Sequence, residues 1–324
     1  MSYLDEHRNE IFKKYTDEEL LRDIHNYVNG GGKLNKVLNH FFEECIFNCK
    51  NNNKPKTPME ALQCDEDMEF ILSYIASKPK FYTGSEVANV KTWLRNSTRI
   101  ARKVANFCPK TARDIYFRYH DKNGQRLNCL DTSCGFGSRM SAVLLSGHNY
   151  CGFDPNPELY AKLIEYKNWL RENDVIKPAQ RCGLYKHGSE IHRPELDGLF
   201  DVSFTSPPYF NLESYGEDES ASTSNYDNYD KWLSDFAKPT INNTYYYLKN
   251  GGIAMINIKN MTNHGKHPLF DDWFKLFETH GGFELLEVFE MKHQSKRNFW
   301  MNCGYTEEEF HGFKEPVMAF RKVK

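Results

Sequence analysis

The segment Phe204-Thr205-Ser206-Pro207-Pro208-Tyr209-Phe210 ends an apolar run with a hydroxyl, two consecutive prolines and a tyrosine. Proline has no N–H and a fixed φ, so Pro207 and Pro208 remove two donors and stiffen the chain, leaving carbonyl oxygens directed into a cleft. That chemistry suits a ring amine, whose lone pair is delocalised and weakly nucleophilic. The Ser206 hydroxyl and the Pro207 carbonyl can accept its two hydrogens, localising the lone pair and aiming it at the methyl of a sulfonium. Pro208 shapes the turn, and Tyr209 offers a face for stacking a base. A base in a duplex reaches such a pocket only by flipping out. Attack by the nitrogen itself is direct transfer, and no cysteine lies in this segment to form a covalent intermediate. The plainer alternative is a proline-stiffened strand exit.

Two further stretches suit a nucleoside-bearing cofactor. Leu130-Asp131-Thr132-Ser133-Cys134-Gly135-Phe136-Gly137-Ser138-Arg139 reads as a strand, a tight Gly-x-Gly turn and the start of a helix. Glycine lets backbone approach a ligand closely. Gly152-Phe153-Asp154-Pro155-Asn156 follows about 20 residues later, and an acid at the tip of a second strand can accept from two ribose hydroxyls. Asp154 can equally cap the helix that follows.

Lys91, Arg95, Arg99 and Arg102 recur at three- or four-residue spacing, which predicts one shared helix face. From Lys91 to Arg118 there are eight basic residues and one acid, Asp114. Such a stripe can track phosphates or simply be a solvated face. Arg297, near Lys292, His293 and Lys296, is another phosphate candidate, and Trp300 beside it can stack or pack. Asn225, Tyr226, Asn228 and Tyr229 lie in a polar stretch that can close over a flipped base or be ordinary surface.

The elements that must position these residues change character along the chain. Residues 1 to about 103 read as a helical accessory domain: Thr16-Asp17-Glu18-Glu19 is a helix start, Leu34 to Phe47 an apolar helix, 51–55 a surface loop, and Thr57-Pro58 a further start. Nothing there has a strand period. From 104 to 324 short apolar strands alternate with helices: 127–134, 150–154, 183–188, 200–206 and 252–258 are strands, 157–173 and 229–248 helices. That alternation predicts an α/β fold, a mostly parallel sheet covered on both faces. The runs 283–293 and 316–323 come last and predict an antiparallel pair. The chain has 324 residues and a net charge of −2, so a uniformly basic nucleic-acid coat is excluded but a local stripe is not. Nine scattered cysteines, without a CxxC pair, fit reduced thiols of a cytoplasm, and no metal set is evident. No apolar run predicts a transmembrane helix, and the charged N-terminus lacks the apolar stretch of a signal peptide.

These motifs, in this order, resemble the amino-methyltransferases of DNA over about residues 105–324. Asp131 to Gly137 is similar to that family's cofactor loop, and Ser206-Pro207-Pro208-Tyr209 to its catalytic motif. Phe107-Cys108-Pro109-Lys110 resembles the segment that packs over the methionine end of the cofactor. Gly188-Ser189-Glu190 resembles the segment that meets the adenine, though Ser189 stands where many relatives carry Asp. Leu248 to Gly252 resembles the turn into the fifth strand, and Glu315 to Phe320 the closing strand. The resemblance implies a Rossmann-like seven-stranded methyltransferase sheet with one antiparallel terminal strand and S-adenosylmethionine as cofactor. The cofactor would be held by Phe107, Pro109, Asp131, Thr132, Ser133, Cys134, Gly135, Gly137, Asp154, Pro155, Ser189 and Glu190. Ser at position 206 implies N4 of cytosine rather than N6 of adenine. DNA is the expected partner, with RNA or a protein side-chain amide as rival substrates. A non-catalytic nucleic-acid-binding subunit is the remaining alternative, and the oligomeric state stays open.

Overall fold

A computed structural model of the chain describes residues 2–51, 53–97, 99–120, 124–210, 213–214, 226, 228–260, 267–291 and 315–323. α1 (Tyr3–Ile11) and α2 (Asp17–Val28) each open with a reciprocal capping box, Ser2 with Asp5 and Thr16 with Glu19. α3 (Asn35–Asn48) has no cap of its own, because Leu34 precedes it in the left-handed region. The Asp23 carboxylate of α2 does that work, accepting the Lys36 and Val37 amides at 2.8 and 3.1 Å. β1 (Lys50–Asn51), α4 (Pro58–Gln63), α5 (Asp65–Ala76) and α6 (Glu86–Asn96) follow. Thr57 and Glu60 make a third capping box where Thr57-Pro58 predicts a helix start.

These first helices divide between two cores. Leu4, Phe47, Leu62, Ile71 and Trp93 close a cluster among α1, α3, α4, α5 and α6. Phe41 and Phe42 of α3 instead contact Tyr166, with ring centroids 4.9 and 5.7 Å apart, inside the core of the sheet. The apolar interior therefore runs without interruption across the expected boundary at residue 103. A buried ion cluster joins the same elements: Glu43 of α3, 3% exposed, accepts from Lys91 at 2.8 Å and Lys103 at 2.9 Å. Removing one partner of a buried pair strands the others, so Glu43→Ala is expected to cost on the order of 3 kcal/mol. Denaturant unfolding of the two proteins checks this; an unchanged midpoint would contradict it.

The remainder is α7 (Pro109–Tyr116), β2 (Asn128–Asp131), α8 (Ser138–Leu144), β3 (Asn149–Phe153), α9 (Pro157–Glu172), β4 (Cys182–Tyr185), β5 (Phe200–Thr205), β6 (Glu213–Ser214), α10 (Tyr229–Trp232), α11 (Lys238–Tyr247), β7 (Leu248–Asn257), α12 (Leu269–His280), β8 (Phe283–Glu290) and β9 (Pro316–Lys322). Seven strands form one sheet in the order β4-β3-β2-β5-β7-β9-β8. All pairings are parallel except those of β9, which runs against both β7 and β8. This is the expected Rossmann-like α/β sheet, mostly parallel with one antiparallel strand. Alternate strand residues point to opposite faces and both faces are covered. Cys129 and Met255 join the layer of α3, α8 and α9, while Leu130 and Ala254 join that of α11 and α12.

Two local differences from the sequence reading have physical causes. The helix expected over 229–248 forms as α10, a π turn at 233–237 and α11. Pro239 has no N–H to give the preceding turn, which widens the hydrogen bonding there. β1 falls where the sequence suggests only helix and loop, and it pairs antiparallel with β6, Lys50 opposite Ser214 and Asn51 opposite Glu213. Two residues are too few to carry a strand period. In the run 283–293 the strand covers Phe283–Glu290, and 292–293 lie outside the described residues. Among the described residues, no helix is long and apolar enough to cross a membrane.

Candidate active site

The chain passes from β2 outward to β3 and β4, then returns to β5 on the other side of β2. Ligands of such sheets bind outside the carboxyl ends of the strands at this reversal. The β2–β5 ladder ends at Leu130 opposite Ser203. Just there the buried Tyr116 hydroxyl shares its hydrogen between the Leu130 carbonyl at 3.3 Å and the Phe204 carbonyl at 3.0 Å. Phe107 sets its ring edge to Phe204, with centroids 5.6 Å apart. The segments 131–137 and 205–210 leave the sheet from these adjacent strand ends.

Gly135 and Gly137 adopt positive φ, 57° and 70°, which explains the Gly-x-Gly spacing. At Gly137 the place of a side chain is already filled by the Phe42 ring of α3, so the helical segment packs directly on the loop. Asn106 ties the segment before α7 to the same loop, donating to the Phe136 carbonyl at 3.2 Å and accepting from the Ser138 hydroxyl at 2.8 Å. That tie places Phe107 beside the loop, and Pro109 is buried in the first turn of α7. The Cys134 amide donates to the Phe153 carbonyl at 2.9 Å, joining the loop to β3. Burial pushes the Cys134 thiol well up, which makes it a packing group.

Asp131 occupies a different position from that expected of a ligand contact. It is fully buried, and its carboxylate accepts from Arg139 Nε at 2.9 Å, the Tyr150 hydroxyl at 2.9 Å and the Ser133 amide at 3.2 Å. All of its bonding is internal, so it shapes the loop from beneath. Arg139 also donates through Nη2 to the Ser133 carbonyl. Thr132, next in line, buries its hydroxyl without a partner among the described residues.

Asp154 is buried at the end of β3 and accepts from the Gly135 amide at 3.3 Å and the Asn156 amide at 3.1 Å. Burial pushes its carboxyl up from 3.8 to about 7, with those two amides pulling the other way. It does not cap α9: Asn156 does, accepting the Leu159 amide at 2.9 Å. Pro155 lies half-buried between them. Past β4, Ser189 is anchored to α11, its hydroxyl 3.0 Å from that of Thr240 and its carbonyl accepting from Asn243 at 2.8 Å. The Glu190 carboxylate folds back over Gly188, and its Oε2 is buried without a partner among the described residues. Burial pushes that carboxyl up as well.

On the β5 side, Pro207 is buried and Ser206, Pro208 and Tyr209 are half-buried. The Tyr209 hydroxyl accepts the Lys259 amide at 3.0 Å, which pins the ring beside the end of β7. Phe210 is buried against Trp232, with Tyr229 and His267 at centroid distances of 5.6 and 5.3 Å. Tyr229 stacks on His267 at 4.2 Å and donates to Asp272 at 2.7 Å, while Asn228 caps α10. Tyr229 and Asn228 thus have structural duties in α10, and Asn225 lies outside the described residues.

The shared basic helix face is not present. α6 ends at Asn96, Ser97 is extended, and Arg99 and Arg102 lie beyond the helix. Residue 101 pairs with Lys56 in an isolated bridge, and Lys103 is bound to Glu43, so tertiary contacts draw the chain off the helix axis. Lys91 is consumed by Glu43 and the Ile11 carbonyl. Arg95, Arg99 and Arg102 stay exposed, the Arg99 guanidinium 5.5 Å from the Phe70 ring centroid. Arg297 lies outside the described residues. Among the described residues, no cluster of three or more His, Cys, Asp or Glu can hold a metal.

No family model matches the chain, and no curated protein matches it. Solved structures similar to part of it include a TehB-like SAM-dependent methyltransferase from Corynebacterium glutamicum, at 18% identity over 66% of this chain and 87% of that one, TM-score 0.40. The tRNA (m1A58) methyltransferase TrmI from Aquifex aeolicus is similar at 13% identity over 69% of this chain and 72% of that one, TM-score 0.41. The [4+2]-cyclase SpnF is similar at 12% identity over 79% and 94%, TM-score 0.42. Identities of this size bear on fold alone, and the fold assignment rests on the strand order.

Proposed function

We propose that the chain transfers a methyl group from S-adenosylmethionine to the exocyclic amine of a DNA base, N4 of cytosine in preference to N6 of adenine. The observation that carries this reading is the position of Ser206-Pro207-Pro208-Tyr209, leaving β5 directly beside the glycine loop that leaves β2. The residues at the ends of β2, β3 and β4 fit such a cofactor. Asp154 suits two ribose hydroxyls, and Thr132 Oγ1 and Glu190 Oε2, unpartnered among the described residues, suit polar groups of a ligand. Glu190 supplies a carboxylate next to the position where relatives of the resembled family carry Asp. When bound, the cofactor supplies an electrophilic methyl group.

The chain's own residues do the rest. Ser206 and the Pro207 carbonyl accept hydrogen bonds from the two N–H groups of the target amine and localise its lone pair, and the nitrogen releases one proton to solvent once it carries the methyl group. Pro207 and Pro208 offer no N–H that would compete for that lone pair. Tyr209, held by the Lys259 amide, keeps its ring fixed for stacking the base. The same acceptors would serve a side-chain amide, and exposed Arg95, Arg99 and Arg102 suit phosphates of DNA or RNA. Competition for labelled methyl among duplex DNA, tRNA and a protein extract tests the substrate class. Label is expected in DNA; label confined to tRNA or protein would overturn the DNA reading and leave the amine chemistry in place.

A further inference from the structure

Arg139 stands out among the groups that the proposed chemistry leaves unused. It is 5% exposed and its partner Asp131 is fully buried. A guanidinium carries five N–H donors, and burying one without filling them is costly. Nε goes to Asp131 at 2.9 Å and Nη2 to the Ser133 carbonyl, while among the described residues no group accepts from Nη1. The ion pair with Asp131 makes the charge tolerable in the interior and holds the planar fork in one orientation. The Phe107 ring, centroid 5.6 Å from the guanidinium carbon, lies against it.

One residue lies between this fork and Asp154. The Gly135 amide donates to Asp154. A side chain added at Gly135 would come within 3.8 Å of Arg139 Nη2. Gly135 thus has the carboxylate suited to a ribose on its amide side and the guanidinium on its Cα side. Its bare backbone keeps the approach to the guanidinium open.

We propose that Arg139, oriented by Asp131, anchors the α-carboxylate at the amino-acid end of the cofactor. This rests on the reading that the cofactor is S-adenosylmethionine. The ligand class is a nucleoside carrying an amino acid, and Arg139 selects for the amino-acid half. Asp131 acts through Arg139 and touches no ligand.

Calorimetric binding of two nucleosides tests this without any turnover. S-adenosylhomocysteine carries the amino-acid end; 5′-methylthioadenosine lacks it. The wild-type protein is expected to prefer S-adenosylhomocysteine by about 10- to 100-fold, the size of a charge-assisted bonding loss. Arg139→Met is expected to remove most of that preference by weakening S-adenosylhomocysteine alone, and Arg139→Lys to restore part of it. Equal weakening of both nucleosides by Arg139→Met would mean a purely structural arginine and would overturn the proposal. So would a wild-type protein that binds both equally, a result that needs no variant to fold. A wild-type protein that binds neither would overturn the cofactor reading itself, and the proposal with it.

Discussion

Ser206→Ala is expected to slow methyl transfer by about 10²- to 10³-fold, the loss seen when one preorganised hydrogen-bonding group is removed from a reacting centre. Affinity for S-adenosylmethionine should stay within about 2-fold, because the proposed mechanism has Ser206 contact the amine acceptor and not the cofactor. Tyr209 offers a sharper division. Tyr209→Phe keeps the ring and loses the bond from the Lys259 amide, so most activity should remain, at a stability cost of about 1 kcal/mol. Tyr209→Ala loses the stacking face and should fall well below it. Single-turnover transfer with labelled cofactor measures all three variants. A Ser206→Ala protein that transfers at the wild-type rate would remove the hydroxyl from the mechanism.

Asp154→Asn should weaken cofactor binding by about 10- to 100-fold and stabilise the free protein at the same time. The folded carboxyl titrates at about 7 against 3.8 for an ordinary carboxyl. Below 3.8 both folded and unfolded chains hold the proton, and nothing is lost. As pH rises toward 7 the unfolded chain releases its proton while the folded chain still binds one. The stability contributed by the protonated group is therefore lost across that window, and above 7 the folded protein carries a buried charge. Asn carries none, so the variant should gain about 1–3 kcal/mol over wild type at pH 8 and almost nothing at pH 4. Cofactor affinity runs the other way. Wild type should bind more tightly as pH rises to about 7 and Asp154 ionises into a double acceptor, whereas the variant should be flat. Denaturant melts and calorimetry at pH 5, 6, 7 and 8 check both trends; a pH-independent stability difference would contradict the buried-charge account.

What the sequence made legible was local. The apolar runs before Asp131, Asp154 and Ser206 mark strand ends, and the β–α alternation places those ends together in a parallel sheet. Glycines 135 and 137 announce their turn because only backbone of that kind adopts positive φ without strain. The Thr16 and Thr57 helix starts are visible for the same reason: a cap and the groups it satisfies lie three residues apart.

Contacts between distant segments left no such trace. The spacing of Lys91, Arg95, Arg99 and Arg102 reads as one helix face, and no proline or glycine interrupts it. The helix stops at Asn96 because Glu43 and the bridge to Lys56 hold the chain that follows. Phe42 fills the space beside Gly137 across 95 residues of sequence, so the helical segment and the cofactor loop could not be seen to share a core. Asp131 reads as a ligand contact because its pairing with Arg139 wraps around the turn between them. Arg139 was in view as a residue, but the signal that gives it a role is its burial, which composition does not carry.

The central claim is that a base amine in DNA receives the methyl group. Its most direct test is mass spectrometry of nucleosides from unmethylated DNA incubated with the protein and S-adenosylmethionine. The account predicts N4-methylcytosine. N6-methyladenine would keep Ser206 and Pro207 in their roles and change only the base preferred. No methylated nucleoside from either single- or double-stranded DNA would contradict the account.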